Sequence, residues 1–247
     1  MRKFGLIGYP LSHSFSKKFF TEKFKEEGIT DCVYELYPIA QIGLFVKLWS
    51  DNPELRGINV TIPYKVEVLP FLDEMDEAAT EIGAVNCISI GRKNAEQSIK
   101  GYNTDAYGFE ESLKPLLAPH HRKALIFGNG GAAKAVKYVL DKLKIPFLVV
   151  TRTAAENCIL YDAIDEAMLR EFTILINTTP LGMSPNTDTC PELPYQYLTD
   201  KHLAYDLVYN PEETLFLQRV KANGGETKNG LEMLHLQALR SWEIWNS

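Results

Sequence analysis

The stretch from Ala124 to Ala133 constrains the fold of this chain more than any other. Four apolar residues, Ala124-Leu125-Ile126-Phe127, lead directly into Gly128-x-Gly130-x-x-Ala133. Glycines permit a tight turn from strand to helix, and the first helical turn directs amide N–H groups at a pyrophosphate. A second apolar run at 147–150 follows at the distance expected for a βαβ unit. We predict a Rossmann-type unit that holds a dinucleotide, the alternative being a purely structural turn. The loop residues expected to bind it are Gly128, Asn129, Gly130, Gly131 and Ala132.

Strand-like and helix-like segments alternate along most of the chain, which favours parallel βαβ construction over an all-α or sandwich fold. In the first half, the pattern predicts strands at 4–8, 33–37 and 55–61, with helices at 16–27 and 42–50. A hairpin of strands 87–90 and 97–100 is also predicted. In the second half, strands are predicted at 124–127, 147–150, 173–176 and 203–206, and helices at 105–117 and 231–245.

This organisation predicts a two-lobed α/β protein, because no long linker or internal repeat divides the 247 residues. We expect an N-terminal αβ substrate-binding and catalytic domain of residues 1–103 plus 232–247. Residues 104–231 are expected to form the Rossmann-type NADP-binding domain. The last helix carries Leu231, Leu234, Ala238 and Trp242 on one face, which predicts that it returns to the first lobe.

Composition narrows the possible partners. A net charge of −6 argues against a nucleic-acid or anionic-membrane surface, because those partners select for basic stripes. No apolar run is long enough to cross a bilayer. Four scattered cysteines without a C-x-x-C pair argue against a structural metal and fit a cytoplasmic protein. We therefore expect a small-molecule substrate, no metal, and either a monomer or a homodimer.

The end of the second apolar run indicates which cofactor is used. It reads Val150-Thr151-Arg152-Thr153, with no Asp or Glu. An NAD enzyme usually places an acidic residue there for the ribose 2′-hydroxyl, whereas an arginine suits the 2′-phosphate of NADP. We predict NADP, bound by Thr151, Arg152 and Thr153. The alternative is that Arg152 is an ordinary solvated arginine.

Two charged residues follow apolar segments in positions suited to proton transfer. Lys65 ends Asn59-Val60-Thr61-Ile62-Pro63-Tyr64-Lys65, and Asp105 begins a predicted helix. Reduction of a ketone needs a proton at the oxygen, and an ammonium group can donate it while stabilising the developing alkoxide. We predict an oxidoreductase in which Lys65 and Asp105 meet across the cleft between the lobes. A salt bridge without chemistry is the alternative.

The chain resembles the shikimate dehydrogenases along its whole length. The family's H-S-x-S segment is present as His13-Ser14-Phe15-Ser16, and its N-V-T-x-P-x-K segment is the run that ends at Lys65. Six further family segments are present in the same order. They are G-A-V-N at 83–86, N-T-D at 103–105, the glycine loop at 128–133, N-T-T-P-x-G-M at 177–183, Y-D-x-x-Y-x-P at 205–211 and G-L-x-M-L-x-x-Q at 230–237.

The resemblance implies an NADP-linked reduction of 3-dehydroshikimate to shikimate, a step of the chorismate pathway to aromatic amino acids. It implies that Ser14 and Ser16 hold the substrate carboxylate and that Thr61, Asn86 and Gln237 hold its hydroxyls. Lys65 and Asp105 would also contact the substrate as the catalytic pair. It further implies that Tyr209 lies near the substrate and that Leu207 and Gly230 lie near the nicotinamide. The alternatives are a quinate/shikimate dehydrogenase that prefers NAD, and a catalytically silent metabolite-sensing paralogue.

The chain departs from the family pattern at four positions. Lys17 stands in place of a common proline, Cys87 in place of threonine, Thr151 in place of asparagine and Asn229 in place of aspartate. None of these changes removes a predicted catalytic group. The chain is also short for the family, which predicts trimmed loops in the cofactor domain.

Overall fold

The computed structural model describes residues 1–11, 14–93 and 96–247. His13 and the turn of the predicted hairpin lie outside these ranges. The chain divides into two compact units: unit 1 comprises Met1–Thr104 and Ala238–Ser247, and unit 2 comprises Asp105–Gln237. Each unit contains a six-stranded sheet with helices, so the predicted α/β class is confirmed.

The sheet of unit 1 is mixed. Its strands are β1 (Arg2–Gly8), β2 (Cys32–Pro38), β3 (Leu55–Val60), β4 (Glu74–Met75), β5 (Cys87–Lys93) and β6 (Glu96–Tyr102). Their order is β2-β1-β3-β5-β6-β4, with β1 parallel to both of its neighbours. β5 and β6 are antiparallel, from Cys87 opposite Tyr102 to Lys93 opposite Glu96, which confirms the predicted hairpin.

Four helices connect the strands of unit 1: α1 (Phe15–Glu26), α2 (Leu44–Asp51), α3 (Tyr64–Glu67) and α4 (Glu77–Ile82). Side chains fix the start of two of them. Ser14 caps α1, and Asp76 caps α4 by accepting a hydrogen bond from the Ala79 amide at 2.8 Å. Gly83 ends α4 with φ at +64°, a conformation that glycine adopts without the strain of a side chain. Gly83 thereby turns the chain into β5.

The C-terminal residues pack into an aromatic cluster of unit 1. Trp245 stacks on Phe4 with 4.9 Å between ring centroids, and its Nε1 donates to the Ile88 carbonyl at 3.0 Å. A Cβ at Gly57 would lie 2.2 Å from that nitrogen, so the strand needs glycine there. The predicted return of the last helix to the first half of the chain is therefore confirmed.

The sheet of unit 2 is wholly parallel. Its strands are β7 (Ala124–Phe127), β8 (Phe147–Thr151), β9 (Cys158–Leu160), β10 (Ile174–Asn177), β11 (Leu203–Asp206) and β12 (Glu226–Lys228). The order is β12-β11-β10-β7-β8-β9. This is the doubly wound order of a Rossmann fold, and the chain reverses its winding direction between β7 and β10. Ligands bind such sheets at that switch point, beyond the carboxyl ends of the strands.

The remaining helices are α5 (Thr104–Leu113), α6 (Gly131–Lys142), α7 (Glu166–Glu171), α8 (Leu215–Ala222) and α9 (Leu231–Trp245). The helix predicted at 105–117 ends earlier, at Leu113. A 3₁₀ turn follows at Lys114–Leu116, because Pro115 cannot donate the next helical hydrogen bond.

The last helix, α9, is divided between the units: its first seven residues group with unit 2 and the rest with unit 1. The predicted boundary at 231/232 differs from this grouping by six residues, and the separate role of each domain stays a prediction.

Candidate functional site

A cavity of about 560 Å³ lies in unit 2 at the carboxyl ends of β7, β8 and β10. Six predicted cofactor residues line it: Gly128, Asn129, Gly130, Thr151, Arg152 and Thr153. The cavity is also lined by residues that the sequence did not single out as cofactor ligands, namely Val150, Tyr161, Thr178, Thr179, Pro180 and Leu181. It lies at the switch point of the sheet, where a doubly wound fold binds its ligand.

The glycine turn has the geometry of a phosphate-binding loop. Gly128 has φ at +98°, and its amide donates to the Val150 carbonyl at 2.9 Å. A Cβ on Gly128 would come within 2.7 Å of the Thr179 side chain. No side chain caps α6 at Gly130, so its first turn, with exposed Gly131 and Ala132, can offer amide groups to an anion.

The end of β8 lies beside this loop, and none of its residues that line the cavity is a carboxylate. Arg152 is exposed there, and the Thr151 hydroxyl donates to the Thr153 carbonyl at 2.9 Å, which holds the turn around Arg152. With no carboxylate among the residues that line the cavity, the exposed guanidinium of Arg152 suits a 2′-phosphate.

Tyr161 forms a wall of the cavity that the sequence did not predict. Its ring stacks on Phe127 at 6.0 Å between centroids and 17° between planes. Burial raises the pKa of Tyr161 to about 12, while the positive charge of Arg152 opposes that rise. Leu160 pairs with Thr151 across β9 and β8, so the next residues of the two strands, Tyr161 and Arg152, lie side by side. Sequence patterning could not indicate this position of Tyr161, because β9 has three residues and a strand that short shows no periodicity.

A buried carboxylate organises the loop after β11. Asp206 is fully buried and accepts three hydrogen bonds, from Thr214 Oγ1 at 2.6 Å, Asn177 Nδ2 at 2.9 Å and the Val208 amide at 3.0 Å. Burial raises its pKa to about 6, although these hydrogen bonds lower it. The structure places Leu207 and Gly230 together, because a Cβ on Gly230 would lie 2.2 Å from the Leu207 carbonyl oxygen.

The two serines that are predicted to bind the substrate carboxylate lie at the start of α1 in unit 1. Ser14 is the N-cap, and its Oγ accepts the Lys17 amide at 3.3 Å. Ser16 lies in the first helical turn. Burial raises the pKa of Tyr34 well above its ordinary value, and Ser16 opposes that rise. Both serines are half-buried.

Asn86 lies in a buried network of polar side chains. Its Oδ1 accepts the Thr104 amide at 2.6 Å, and its Nδ2 donates to Thr104 Oγ1 at 3.0 Å. Asn59 donates to the Asn86 main-chain carbonyl at 3.3 Å and accepts the Tyr34 hydroxyl at 2.9 Å. Ser241 joins this network from α9, and no pattern in the sequence indicated its role.

The predicted catalytic lysine is held close to Asn86. Lys65 belongs to α3, which starts where the Tyr64 amide bonds the Thr61 carbonyl at 2.9 Å. The Val85 amide donates to the Lys65 carbonyl at 2.8 Å, so the lysine backbone is tied to the residue before Asn86. Asp105 follows Thr104 in the first turn of α5. Lys65 belongs to unit 1 and Asp105 to unit 2, and their pairing stays a prediction.

The last two predicted substrate ligands lie in unit 2. Tyr209 is 41% exposed, in the loop that follows Asp206. Gln237 is buried on α9, and its Nε2 donates to the Leu234 carbonyl of the same helix at 3.0 Å. That bond occupies one amide hydrogen of Gln237.

Three departures from the family pattern have local partners. Lys17 Nζ donates to the Tyr34 carbonyl and to Glu35 Oε2, so Glu35 neutralises the added charge. Cys87 is buried, and burial raises the pKa of its thiol to about 12. Asn229 accepts the Leu231 amide at 3.2 Å, which supports the start of α9.

The described residues contain neither a metal-binding cluster nor a membrane-spanning helix. No group of three or more His, Cys, Asp and Glu residues could hold a metal ion among them. Within the same residues, no helix has the length and apolar character that a membrane crossing requires.

The doubly wound sheet, the glycine turn and the cavity at the switch point define a Rossmann-type dinucleotide-binding protein. Comparison with known proteins narrows this class. Residues 6–88 match the shikimate dehydrogenase substrate binding domain. Shikimate dehydrogenase (NADP(+)) of Desulforamulus reducens is 36% identical over 263 residues, covering 98% of this chain and 88% of its own length. The enzyme of that name from Carboxydothermus hydrogenoformans is 38% identical, with coverages of 98% and 90%.

A solved structure agrees with these relatives. Shikimate 5-dehydrogenase of Thermus thermophilus, in complex with NADP(H) and shikimate, superimposes with a TM-score of 0.84. It is 30% identical, and the match covers 99% of this chain and 93% of that chain. The chain therefore belongs to the shikimate dehydrogenase family, as its sequence segments predicted.

Proposed function

We propose that this protein catalyses the NADP-dependent, reversible reduction of 3-dehydroshikimate to shikimate. The observation that carries the proposal is the match over 98% of the chain to relatives named shikimate dehydrogenase (NADP(+)). The cavity at the glycine turn supports it, because a dinucleotide enzyme needs such a site at that edge of the sheet.

The residues around this cavity fit NADP. The glycine turn and the start of α6 would hold the pyrophosphate, and Arg152 with Thr151 and Thr153 would hold the 2′-phosphate. Leu207 and Gly230 would lie against the nicotinamide. When bound, the cofactor supplies a hydride to the ketone carbon of the substrate.

Side chains of the protein carry out the proton transfer. Lys65 Nζ donates a proton to the ketone oxygen as the alkoxide forms, and its positive charge stabilises that oxygen. Asp105 orients the ammonium group and accepts a hydrogen bond from a ring hydroxyl. Asp105 lies in the first turn of α5, at the positive end of the helix dipole.

The substrate is held by neutral donors. Ser14 and Ser16 hold the carboxylate with their hydroxyls, and Thr61, Asn86 and Gln237 hold the ring hydroxyls, with Tyr209 close by. Asn86 is suited to this role because its Oδ1 accepts the Thr104 amide. Its Nδ2 gives one hydrogen to Thr104 Oγ1 and has a second hydrogen for a substrate oxygen.

The test is a spectrophotometric assay of NADPH oxidation with 3-dehydroshikimate. We expect Lys65→Ala to lower kcat by about 1,000-fold with KM changed much less, because general acid catalysis and alkoxide stabilisation are both lost. Lys47→Ala, at an exposed lysine paired with Asp51, is the matched control and should retain full turnover. Near-normal turnover of the Lys65 variant would refute the role of Lys65.

The same assay separates the two alternatives. A quinate/shikimate dehydrogenase would turn over quinate, with NAD preferred to NADP. A metabolite-sensing paralogue would bind shikimate in calorimetry without oxidising NADPH. Either result would overturn the proposed reaction.

We further infer that the protein works in the cytoplasm as a monomer or homodimer, with small molecules as its only partners. The net charge of −6 supports this inference, because nucleic acids and anionic membranes select for basic surfaces. Light scattering at assay concentration distinguishes the two oligomeric states.

A further inference from the structure

Ser241 is a buried serine on α9 whose hydroxyl lies inside the polar network around Asn86. It is 0% exposed. Its Oγ accepts a hydrogen bond from Asn59 Nδ2 at 2.9 Å and lies 3.3 Å from Thr104 Oγ1. A buried hydroxyl with two polar partners on different elements is retained for those contacts rather than for packing.

The direction of one of these hydrogen bonds follows from its donor. The Asn59 amide nitrogen can only donate, so Ser241 Oγ accepts from it. Ser241 Oγ and Thr104 Oγ1 lie 3.3 Å apart, and either hydroxyl can be the donor of that bond. Ser241 therefore links Asn59 to Thr104 with one hydroxyl group.

Asn59 and Thr104 hold Asn86 in addition to the main-chain hydrogen bonds that it makes with Val60 and Tyr102. Asn59 Nδ2 bonds the Asn86 main-chain carbonyl at 3.3 Å, and the Thr104 amide bonds Asn86 Oδ1 at 2.6 Å. A main-chain N–H cannot accept a hydrogen bond, so this contact fixes the oxygen end of the amide towards α5. The nitrogen end then offers one hydrogen to Thr104 Oγ1 and has a second for a ligand oxygen.

We propose that Ser241 is a positioning residue that joins these two supports, so that Asn86 presents an amide hydrogen to a hydroxyl oxygen of the substrate. The proposal rests on the proposed function, because the contact of Asn86 with substrate belongs to it. Ser241 acts through Asn86 and touches neither substrate nor cofactor.

A purely structural role for Ser241 predicts different kinetics. Loss of a structural hydrogen bond lowers stability and leaves the kinetic constants of the folded fraction unchanged. A positioning role raises KM for the substrate whose hydroxyl Asn86 binds, while KM for NADP stays constant. The binding energy of one hydrogen bond corresponds to about a fivefold change in KM.

The experiment is a double-mutant cycle of Ser241→Ala and Asn86→Ala, with steady-state kinetics in the direction of shikimate oxidation. We expect Ser241→Ala to raise KM for shikimate about fivefold and to leave kcat and KM for NADP within about twofold. In the Asn86→Ala background, Ser241→Ala should add no further effect, because residues that act through one contact are not additive. Independent, multiplying effects would overturn the proposal, as would an unchanged KM in the single variant.

Ser112→Ala is the matched control. Ser112 is also a buried helical serine, and its hydroxyl bonds Tyr205 Oη at 2.6 Å within unit 2, whereas Asn86 belongs to unit 1. This variant should lose stability without a change in KM for shikimate. If Ser241→Ala does not fold, Ser241→Cys keeps the size of the side chain with a weaker donor and should still raise KM for shikimate selectively. An unchanged KM there counts against the proposal.

The cycle also separates this inference from the function on which it rests. If Asn86→Ala leaves KM for shikimate unchanged, the proposed substrate contact of Asn86 is wrong. If Asn86→Ala raises KM and Ser241→Ala does not, only the role of Ser241 is refuted.

Discussion

The buried carboxylate of Asp206 makes a specific prediction about stability and pH. Its ordinary pKa of 3.8 is raised to about 6, and burial is the largest cause. Each pKa unit corresponds to about 1.36 kcal/mol, so the native state favours the protonated form by about 3 kcal/mol. The raised pKa therefore contributes stability that is fully present below about pH 4. That stability is lost as the pH rises through about 6, where the folded protein must bury a charge.

Asp206→Asn tests this reasoning because the amide keeps the shape of the side chain and cannot ionise. Its oxygen can still accept from Asn177 Nδ2 and the Val208 amide, which both bond Asp206 Oδ1. We expect the free energy of unfolding of the wild type, minus that of the variant, to fall by about 2.4 kcal/mol between pH 4 and pH 7, because a small part of the total is already lost at pH 4. Taking the difference cancels the other groups that titrate in both proteins.

The assay is urea denaturation followed by tryptophan fluorescence at several pH values. Asp188→Asn, at an exposed carboxylate in unit 2, is the control for the replacement of a carboxylate by an amide. A difference for Asp206→Asn that stays flat from pH 4 to pH 7 would show that Asp206 titrates normally. The reasoning from burial would then be refuted.

Two further predictions concern the cofactor and the C-terminal helix. Arg152→Ala should raise KM for NADP about tenfold or more and KM for NAD much less, because we propose that the guanidinium binds the 2′-phosphate, which NAD lacks. An equal rise for both cofactors in steady-state assays would defeat the assignment. Trp245→Ala should lower the free energy of unfolding by about 3–5 kcal/mol, since it removes the stacking on Phe4 and the bond to Ile88; a loss below about 1 kcal/mol in urea denaturation would contradict this account.

Segments with a clear apolar pattern were predictable from the sequence. β7, β11 and α9 begin and end at the predicted residues, because each has an apolar pattern bounded by clear turn residues. The glycine turn also predicted the position of the cavity, since the connection from strand to helix fixes where a ligand approaches. These features depend on local patterning, which a single sequence displays.

Features that depend on tertiary contacts were not predictable. β9 and β12 have three residues each, and a run that short shows no strand periodicity. β9 nonetheless brings Tyr161 beside Arg152 at the cavity. Ser241 looked like an ordinary helical residue, because its partners Asn59 and Thr104 lie more than a hundred positions away in the sequence.

The aromatic contact between Phe4 and Trp245 has a consequence for biosynthesis. Unit 2 is one continuous stretch, whereas unit 1 needs residues from both termini. During synthesis on the ribosome, unit 2 can complete its core before unit 1, because unit 1 still lacks residues 238–247. During that interval the pocket that Gly57 leaves for Trp245 is unfilled. We therefore expect newly made chains to expose the apolar strands of unit 1 until residues 238–247 have been synthesised.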